Sequence, residues 1–227
     1  MTSSSAVRFE GIRGVIFDLD GTLIDSYSAH IDAWVRTARS FGVEADEEDV
    51  KPHLGRSSED IARALLGAVG DEKVRQAYQL KDKIYYELIP RLVRSVPGAR
   101  RTLAELKKRG YLVCIASSNP AGVIERSLRS TGLWSNVDEV ASQDEVKRGK
   151  PEPDLFLLGA KKLGLEPHVC LGVGDTSYDV LSARGAGMRT AAFSGGVQSE
   201  EELRKVRPDV VIGDLRNLLD LLPERSG

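Results

Sequence analysis

The sequence predicts a doubly wound α/β fold, a parallel sheet with helices on both faces, interrupted by one all-helical insert. An apolar run near the N-terminus ends abruptly in carboxylates, as a buried strand does at the edge of a sheet. From Pro97 onward, helical patterns alternate with short apolar runs, which is typical of parallel strands joined by crossover helices. Between Ser26 and about Val93 the periodicity is helical throughout. The 227 residues suit one large domain, or one domain with a moderate insert.

The first strand is predicted within residues 14–25, which read Gly-Val-Ile-Phe-Asp-Leu-Asp-Gly-Thr-Leu-Ile-Asp. Side chains two positions apart in a strand point to the same side, so we expect Asp18 and Asp20 to lie together at its end. Two carboxylates that close repel each other unless a cation or a shared proton lies between them, and oxygen ligands of this kind suit Mg²⁺. The alternative is a plain turn, because Asp and Gly are common turn residues.

Three helices are predicted in the insert. The first has apolar residues at three- and four-residue steps up to Phe41, and a glycine follows as a stop. The second begins at Ser57, with Asp60 as its capping-box partner. The third is predicted over about 72–88 and to end at Pro90, since proline breaks helices.

After the insert, a helix is predicted from Pro97 to Arg109, followed by a break at Gly110. The strand at 111–116 is almost continuously apolar, which indicates cover on both faces and therefore a parallel sheet. The later predicted helices lie at 123–129, 154–163 and 178–184, the later strands at 139–141, 169–173 and 190–193, and a last strand–helix pair at 210–222.

Polar residues follow three of the predicted strands, and ligands of open α/β sheets bind outside those strand ends. The first strand is followed by Asp18 and Asp20, and the strand at 111–116 is followed by Ser117, Ser118 and Asn119. The strand at 169–173 is followed by Asp175 and Asp179. Lys150 lies just before a helix start that prolines stiffen. Each group alone is also explained as a helix cap, a turn or a solvated charge. Together they predict one pocket that holds carboxylates, hydroxyls and a lysine.

Composition and charge argue against several functions. A net charge of −2 offers no electrostatic case for nucleic acid, and no apolar stretch approaches a membrane span. The first residues lack a targeting pattern, so we expect a short, loose tail on a cytoplasmic protein. Cys114 and Cys170 lie in apolar runs and are expected to be buried hydrophobes. His30, His53 and His168 have no partners at metal-ligand spacing, which argues against zinc and favours helical or surface roles.

The site residues resemble, in order and spacing, the four motifs of the haloacid dehalogenase-like hydrolase superfamily. The matching segments are Asp18-Leu-Asp-Gly-Thr-Leu-Ile-Asp25, Ser117, Gly149-Lys150-Pro151-Glu152-Pro153-Asp154 and Gly174-Asp175-x-x-x-Asp179. The resemblance covers nearly the whole chain, and the insert looks like the C1-type cap of the subgroup that contains phosphoglycolate phosphatase and β-phosphoglucomutase. It implies a Rossmann-like core of residues 1–25 and 94–227 and a helical cap of residues 26–93.

The same resemblance implies Mg²⁺-dependent hydrolysis of a small phosphomonoester through an aspartyl-phosphate. Asp18 would be the nucleophile, and Asp20 the general acid and afterwards the general base. Asp18, the backbone carbonyl of Asp20, and Asp175 would hold Mg²⁺, which offsets the repulsion between nucleophile and substrate. Asp179 is expected to orient a metal-bound water or Lys150 rather than to bind the ion.

The resemblance also assigns contacts to the phosphoryl group. Ser117 would donate a hydrogen bond to it, and Lys150 would neutralise both the nucleophile and the transferring group. The other expected participants are Ser118 and Asn119 as substrate contacts, Gly21, which permits close backbone approach, and Thr22, which supports the first motif.

The cap would close over the strand ends and exclude water. Its loop at 52–58 is the candidate specificity loop, in which Arg56 would meet an anionic group of the substrate. A solvated charge at a helix start is the alternative for Arg56.

Three functions remain open at this point. Mutases of the β-phosphoglucomutase kind keep both aspartates of the first motif but typically carry Glu-Asp in the fourth motif and Arg in the cap loop, where this chain has Gly174-Asp175 and Ser58. A phosphatase is therefore favoured over a mutase. Asp20 argues against dehalogenases and phosphonoacetaldehyde hydrolases, and the complete set of ionisable residues argues against a non-catalytic binding module. The sequence identifies neither the substrate nor the oligomeric state.

Overall fold

The computed structural model of the chain describes residues 8–54 and 56–224, so the expected N-terminal tail lies outside the described residues. Its strands are β1 (Gly14–Phe17), β2 (Ile24–Asp25), β3 (Arg94–Ser95), β4 (Leu112–Ser117), β5 (Glu139–Ser142), β6 (Cys170–Gly174), β7 (Arg189–Phe193) and β8 (Val210–Ile212). Its helices are α1 (Tyr27–Ser40), α2 (Glu47–Val50), α3 (Ser58–Leu66), α4 (Asp71–Leu92), α5 (Ala99–Lys108), α6 (Ala121–Thr131), α7 (Asp154–Lys162), α8 (Ser177–Gly185), α9 (Glu200–Lys205) and α10 (Leu218–Leu221). None of these helices is long and apolar enough to cross a membrane.

Six strands form one parallel sheet in the order β5-β4-β1-β6-β7-β8. Counted among themselves along the chain, these strands lie in the order 3-2-1-4-5-6 of a doubly wound sheet. The strand order reverses between β1 and β6, and a crevice for ligands forms at the carboxyl ends of the strands at such a point. The prediction of a doubly wound parallel sheet is confirmed.

Alternate residues of the buried strands pack on opposite faces of the sheet. Val15 and Phe17 of β1 belong to a large apolar cluster with residues of α5 and α6, whereas Ile16 belongs to a second cluster with residues of α7. Because both faces are covered, the strands contain few polar residues, which is why they read as continuous apolar runs. Cys114 and Cys170 are buried free thiols in the second cluster, as predicted.

The segment between β2 and β3 is helical, and its described residues contain no strand, as predicted. Helices α1 and α3 both pack against α4. Their shared cluster includes Trp34, Ile61 and Val74. Helices α1 to α4 are called the cap helices below; the proposed division into a core of residues 1–25 and 94–227 and a cap of residues 26–93 stays a prediction.

The predicted end of the third insert helix at Pro90 is wrong, because α4 continues through Pro90 to Leu92. Proline lacks the N–H that would bond the carbonyl four residues earlier, which here belongs to Tyr86. The structure supplies another donor, since Nε of Arg126 in α6 bonds the Tyr86 carbonyl at 3.0 Å. A tertiary contact therefore compensates for the break in the helical ladder.

Some short elements were not predicted. Strands β2 and β3 pair antiparallel over two residues each, which is too short to leave a periodic pattern. Helix α2 begins at the Asp46 cap, and α9 begins at a capping box formed by Ser199 and Glu202. Such a Ser-x-x-Glu pattern is readable in a sequence, so the start of α9 was predictable from residues 199–202.

Candidate active site

The predicted site residues meet at the carboxyl edge of the sheet. Asp18 directly follows β1, Ser117 ends β4, and Asp175 directly follows β6. Since β4, β1 and β6 are adjacent and parallel, these ends lie side by side at the point where the strand order reverses. The structure thus brings these three strand ends together, and the roles predicted for their residues stay predictions.

Three buried carboxylates form a cluster at this edge. Asp18, Asp175 and Asp179 each offer an oxygen, and these oxygens lie within 4.8 Å of one another. Burial, with Asp179 close by, raises the pKa of Asp175 to about 6, although hydrogen bonds to its carboxylate oppose the shift. Burial also raises the pKa of Asp18 well above its usual value, against the attraction of Lys150. A divalent cation with a preference for oxygen ligands would relieve this repulsion, so the donor set fits Mg²⁺ chemically.

Lys150 balances part of this negative charge. Its Nζ lies 2.5 Å from Oδ1 of Asp18 and 2.7 Å from Oδ1 of Asp179. Burial alone would lower the pKa of Lys150, but Asp179 and Asp18 outweigh burial and raise it. Lys150 is therefore a charged ammonium held against the carboxylate cluster.

Both oxygens of Asp179 are already engaged. Oδ1 pairs with Lys150, and Oδ2 accepts hydrogen bonds from the backbone N–H and the hydroxyl of Thr176 at 3.0 and 2.6 Å, which caps α8. These contacts agree with an orienting role behind the metal ligands, which stays a prediction because Asp179 also belongs to the carboxylate cluster.

The Asp20 carboxylate does not belong to that cluster, although the strand period predicted it beside Asp18. It turns toward the cap helices, where Oδ1 accepts a 2.6 Å hydrogen bond from Ser26 and lies 3.0 Å from Nε2 of His30. It also accepts hydrogen bonds from Tyr85 at 3.2 Å and from Nδ2 of Asn119 at 2.5 Å. Burial opposes ionisation of Asp20, but His30, Ser26 and the nearby Lys81 outweigh it and lower the pKa of Asp20 to about 2. The pair of carboxylates is thus divided between two environments.

The first motif is tightly built around its glycine. Gly21 has φ +85°, and a Cβ there would collide with the Tyr27 hydroxyl and the Asp175 carboxylate. Thr22 donates a 3.0 Å hydrogen bond to Oδ1 of Asp175. The supporting positions predicted for Gly21 and Thr22 agree with these contacts.

The polar residues 117–119 at the end of β4 differ in their access to a cavity of about 90 Å³ that Asp18 also lines. Ser118 and Asn119 line the cavity together with Asp18, Asp20 and Lys150. Ser117 is only 1% exposed, and its Oγ accepts a 3.2 Å hydrogen bond from the backbone N–H of Asn119. Its role as a phosphoryl donor stays a prediction.

The cap side of the cavity holds residues that the sequence analysis did not assign. They are Tyr27, His30, Trp34 and Lys81, while Tyr85 lies behind His30, with ring centroids 4.0 Å apart. Arg56, which was assigned, is exposed and lines the cavity. The available signal was spacing: positions 27, 30 and 34 share one face of the helix that begins directly after the first motif. His30 is helical as expected, and it also lines the cavity beside Asp20.

Comparisons with known proteins agree with this geometry. A family model described as haloacid dehalogenase-like hydrolase matches residues 15–193. The probable phosphatase IndB of Dickeya dadantii (strain 3937) is 32% identical over 204 residues, which cover 87% of this chain and 88% of that protein. Pyrophosphatase PpaX of Bacillus cereus (strain AH820) is 29% identical over 216 residues, which cover 95% of this chain and 98% of that protein.

A solved structure confirms the fold. The crystal structure of a predicted phosphoglycolate phosphatase from Haemophilus somnus 129PT matches with a TM-score of 0.84 over 93% of this chain and 98% of that chain, at 21% identity, which shows the fold alone. The family assignment therefore rests on the family model, which spans most of the chain, and on the relative that is 32% identical. On this evidence, the chain belongs to the haloacid dehalogenase-like hydrolases.

Proposed function

We propose that this protein is a Mg²⁺-dependent phosphatase that hydrolyses a small phosphomonoester through an aspartyl-phosphate on Asp18. The observation that carries the proposal is the position of the Asp18 carboxylate, which lines the cavity, lies 2.5 Å from Nζ of Lys150 and belongs to a cluster with the carboxylates of Asp175 and Asp179. An anionic nucleophile with cations on its flank is what attack on an anionic phosphoryl group requires.

The first step is attack of an Asp18 carboxylate oxygen on phosphorus, which breaks the bond to the leaving-group oxygen. Lys150 favours the ionised form of Asp18, because its ammonium lies 2.5 Å from Oδ1. Asp18, the Asp20 carbonyl and Asp175 would hold Mg²⁺, which when bound supplies positive charge to the nucleophile and the phosphoryl oxygens. Ser117, Ser118, Asn119 and Lys150 would hold the phosphoryl group in line.

Asp20 would give a proton to the leaving oxygen and later take one from the water that hydrolyses the aspartyl-phosphate. Its carboxylate lies at the cavity wall and is oriented by Ser26, His30, Tyr85 and Asn119. A phosphoryl dianion bound beside Asp20 favours the protonated form, which an acid needs. Closure of the cap helices keeps bulk water from the acyl phosphate.

The proposal of a phosphatase also agrees with the names of two relatives, a probable phosphatase and a pyrophosphatase. A mutase is disfavoured by Ser58 and Gly174, which stand where sugar phosphomutases typically carry Arg and Glu. A cytoplasmic location and a small-molecule substrate without nucleic-acid or membrane partners belong to the same proposal.

The test is Mg²⁺-dependent phosphate release across a panel of phosphomonoesters, with Asp18→Asn as the blank. We expect release that stops with EDTA, returns with Mg²⁺ and is absent in Asp18→Asn, together with a phosphoryl mass on the Asp18 peptide after acid quenching. Full activity of folded Asp18→Asn would refute the covalent route. Interconversion of hexose phosphates without release would indicate a mutase, and an inert protein would indicate a binding module.

A further inference from the structure

A lysine lies on the buried face of the longest cap helix. The buried residues of α4 recur at three- and four-residue steps and are Val74, Ala77, Lys81, Tyr85, Leu88 and Ile89. Lys81 is 2% exposed, in a position where the helical pattern calls for an apolar side chain. Lysine is almost never buried to this extent unless it is paired, so its surroundings need an explanation.

The surroundings of Lys81 do not provide hydrogen-bond acceptors for all the N–H donors of its ammonium. Nζ lies 3.1 Å from Oδ1 of its chain neighbour Asp82, and it lies 5.8 and 5.0 Å from the ring centroids of Trp34 and Tyr85. An ammonium has three N–H donors, and the described hydrogen bonds use one of them, toward Asp82. The other two are left in a site walled by aromatic rings.

Lys81, on the cap helix α4, lines the same cavity as Asp18 and Lys150, which lie at the strand ends of the sheet. The core side carries the carboxylate cluster and the residues proposed to hold the transferring phosphoryl group. The cap side carries Lys81 and, at an exposed position, Arg56, which the structure pairs with no carboxylate among the described residues. Positive charge from the cap therefore faces the place of the leaving group.

The size of the cavity narrows the choice of substrate. Its volume is about 90 Å³, well below the roughly 300–1,000 Å³ of pockets that hold drug-sized ligands. Leu54, Ile61 and Trp34 supply apolar walls, which strengthen an ion pair by excluding water. A small leaving group with a negative charge would satisfy both the volume and the buried ammonium.

We propose that Lys81 binds a second anionic group on the leaving-group side of the substrate. The preferred substrates are then small phosphate esters or anhydrides whose leaving group carries a carboxylate or a phosphoryl group. This inference rests on the proposed phosphatase function and names its substrate class. It also makes Lys81 a specificity-determining residue of the cap.

The first test compares substrates of matched size. 2-Phosphoglycolate carries a carboxylate, pyrophosphate a phosphoryl group, and 2-hydroxyethyl phosphate a neutral hydroxyl. We expect the wild type to prefer at least one anionic substrate over the hydroxyl compound by about tenfold to a hundredfold in kcat/KM, as for a hydrogen bond to a charged group. The anionic substrate with the higher value identifies the group that Lys81 binds.

Variants assign that preference to Lys81. Lys81→Met keeps the length of the side chain and suits the apolar face, and we expect it to abolish the preference, mainly by raising KM for the anionic substrate. Lys81→Arg is expected to retain most of the preference. Lys83→Met, at an exposed position two residues along the same helix, is the matched control and should behave as the wild type.

A binding measurement separates this inference from the proposed function. 3-Phosphonopropionate and 3-hydroxypropylphosphonate mimic the carboxylate and hydroxyl substrates but hold phosphorus by a C–P bond, so neither is an ester that can be hydrolysed. If Lys81 binds a carboxylate, calorimetry in the presence of Mg²⁺ should show that the wild type binds 3-phosphonopropionate more tightly than 3-hydroxypropylphosphonate. Lys81→Met should show no such difference. Such binding without phosphate release from any substrate would support the anion site and refute the proposed phosphatase function.

Two results would overturn the inference. The first is a wild-type protein that does not hydrolyse the anionic substrates and shows no preference in binding for an anionic phosphonate. In that case a phosphonate with a carboxylate or a second phosphonate would bind no more tightly than 3-hydroxypropylphosphonate. The other is a folded Lys81→Met that loses activity equally on all three substrates, because Lys81 would then act on Asp20 and not on the leaving group.

Discussion

The hydroxyl of Tyr27 donates a 2.6 Å hydrogen bond to Oδ2 of Asp175. Tyr27 is the first residue of α1, and Asp175 follows β6, 148 positions along the chain. Burial beside Asp175 raises the pKa of the Tyr27 phenol, so it remains a protonated donor at neutral pH. The backbone N–H of Val197 donates to the same oxygen at 2.8 Å. A cap helix thus orients a proposed metal ligand of the core.

We predict that Tyr27→Phe weakens binding of Mg²⁺ by about 10- to 100-fold, because loss of an outer hydrogen bond frees the ligand carboxylate to rotate. Calorimetric titration of the metal-free protein with Mg²⁺ measures this without any substrate. Tyr86→Phe, on an exposed tyrosine of α4, is the control. Equal metal affinity in Tyr27→Phe and the wild type would show that Val197 and Thr22 orient Asp175 without help.

We predict that Lys150→Met lowers both activity and stability. Phosphate release should fall by at least about 10²–10³-fold, the usual loss when a charge-stabilising donor is removed. The metal-free variant should lose roughly 3–5 kcal/mol of unfolding free energy, because the buried carboxylates of Asp18 and Asp179 lose their cation. Urea denaturation with and without Mg²⁺ tests this, since bound metal should restore part of the loss. Lys147→Met, on the exposed part of the same loop, should lose neither.

The core was predictable because burial of its strands restricts the residue types that those segments of the sequence can contain. Strands buried on both faces must be apolar throughout, so β1, β4 and β6 stand out, and the first polar residues after them reach the site edge. Asp18, Ser117 and Asp175 were found in this way. The position of Asp20 was predicted less well, because the strand period ends with β1 at Phe17 and the chain has already turned.

The cap contacts were not predictable from local patterns. Which helix face meets the core depends on packing between segments distant in sequence, as with Tyr85, which donates to Asp20 across 65 positions. Lys81 could be recognised in the sequence as a charged residue within the apolar stripe of a helix. Only the structure shows that it lines a cavity.

We predict that the two cysteines of the folded protein resist thiol reagents. Burial raises the pKa of the Cys114 thiol, and it raises that of Cys170 to about 11, so little reactive thiolate forms at pH 8. A colorimetric thiol assay should detect almost none in the native protein and both after denaturation. Rapid reaction of either cysteine in the native protein would contradict the burial of these strands.

The contact between Arg126 and Tyr86 predicts a specific coupling with Pro90. Arg126→Met should cost about 0.5–1.5 kcal/mol of unfolding free energy, because the Tyr86 carbonyl loses the donor that replaces the missing N–H of Pro90. In a Pro90→Ala background the alanine N–H can bond that carbonyl, so the same change should cost distinctly less.

A double-mutant cycle measured by urea denaturation isolates this coupling. The guanidinium of Arg126 also stacks on the Tyr86 ring, 4.2 Å from its centroid, but that contact is lost in both backgrounds and cancels in the cycle. Arg204→Met, on α9, is the control, since Arg204 pairs with Glu200 on its own helix and should show no coupling to position 90. Additive effects of Pro90→Ala and Arg126→Met would mean that Arg126 does not compensate for the proline, and that the Tyr86 carbonyl is satisfied in another way.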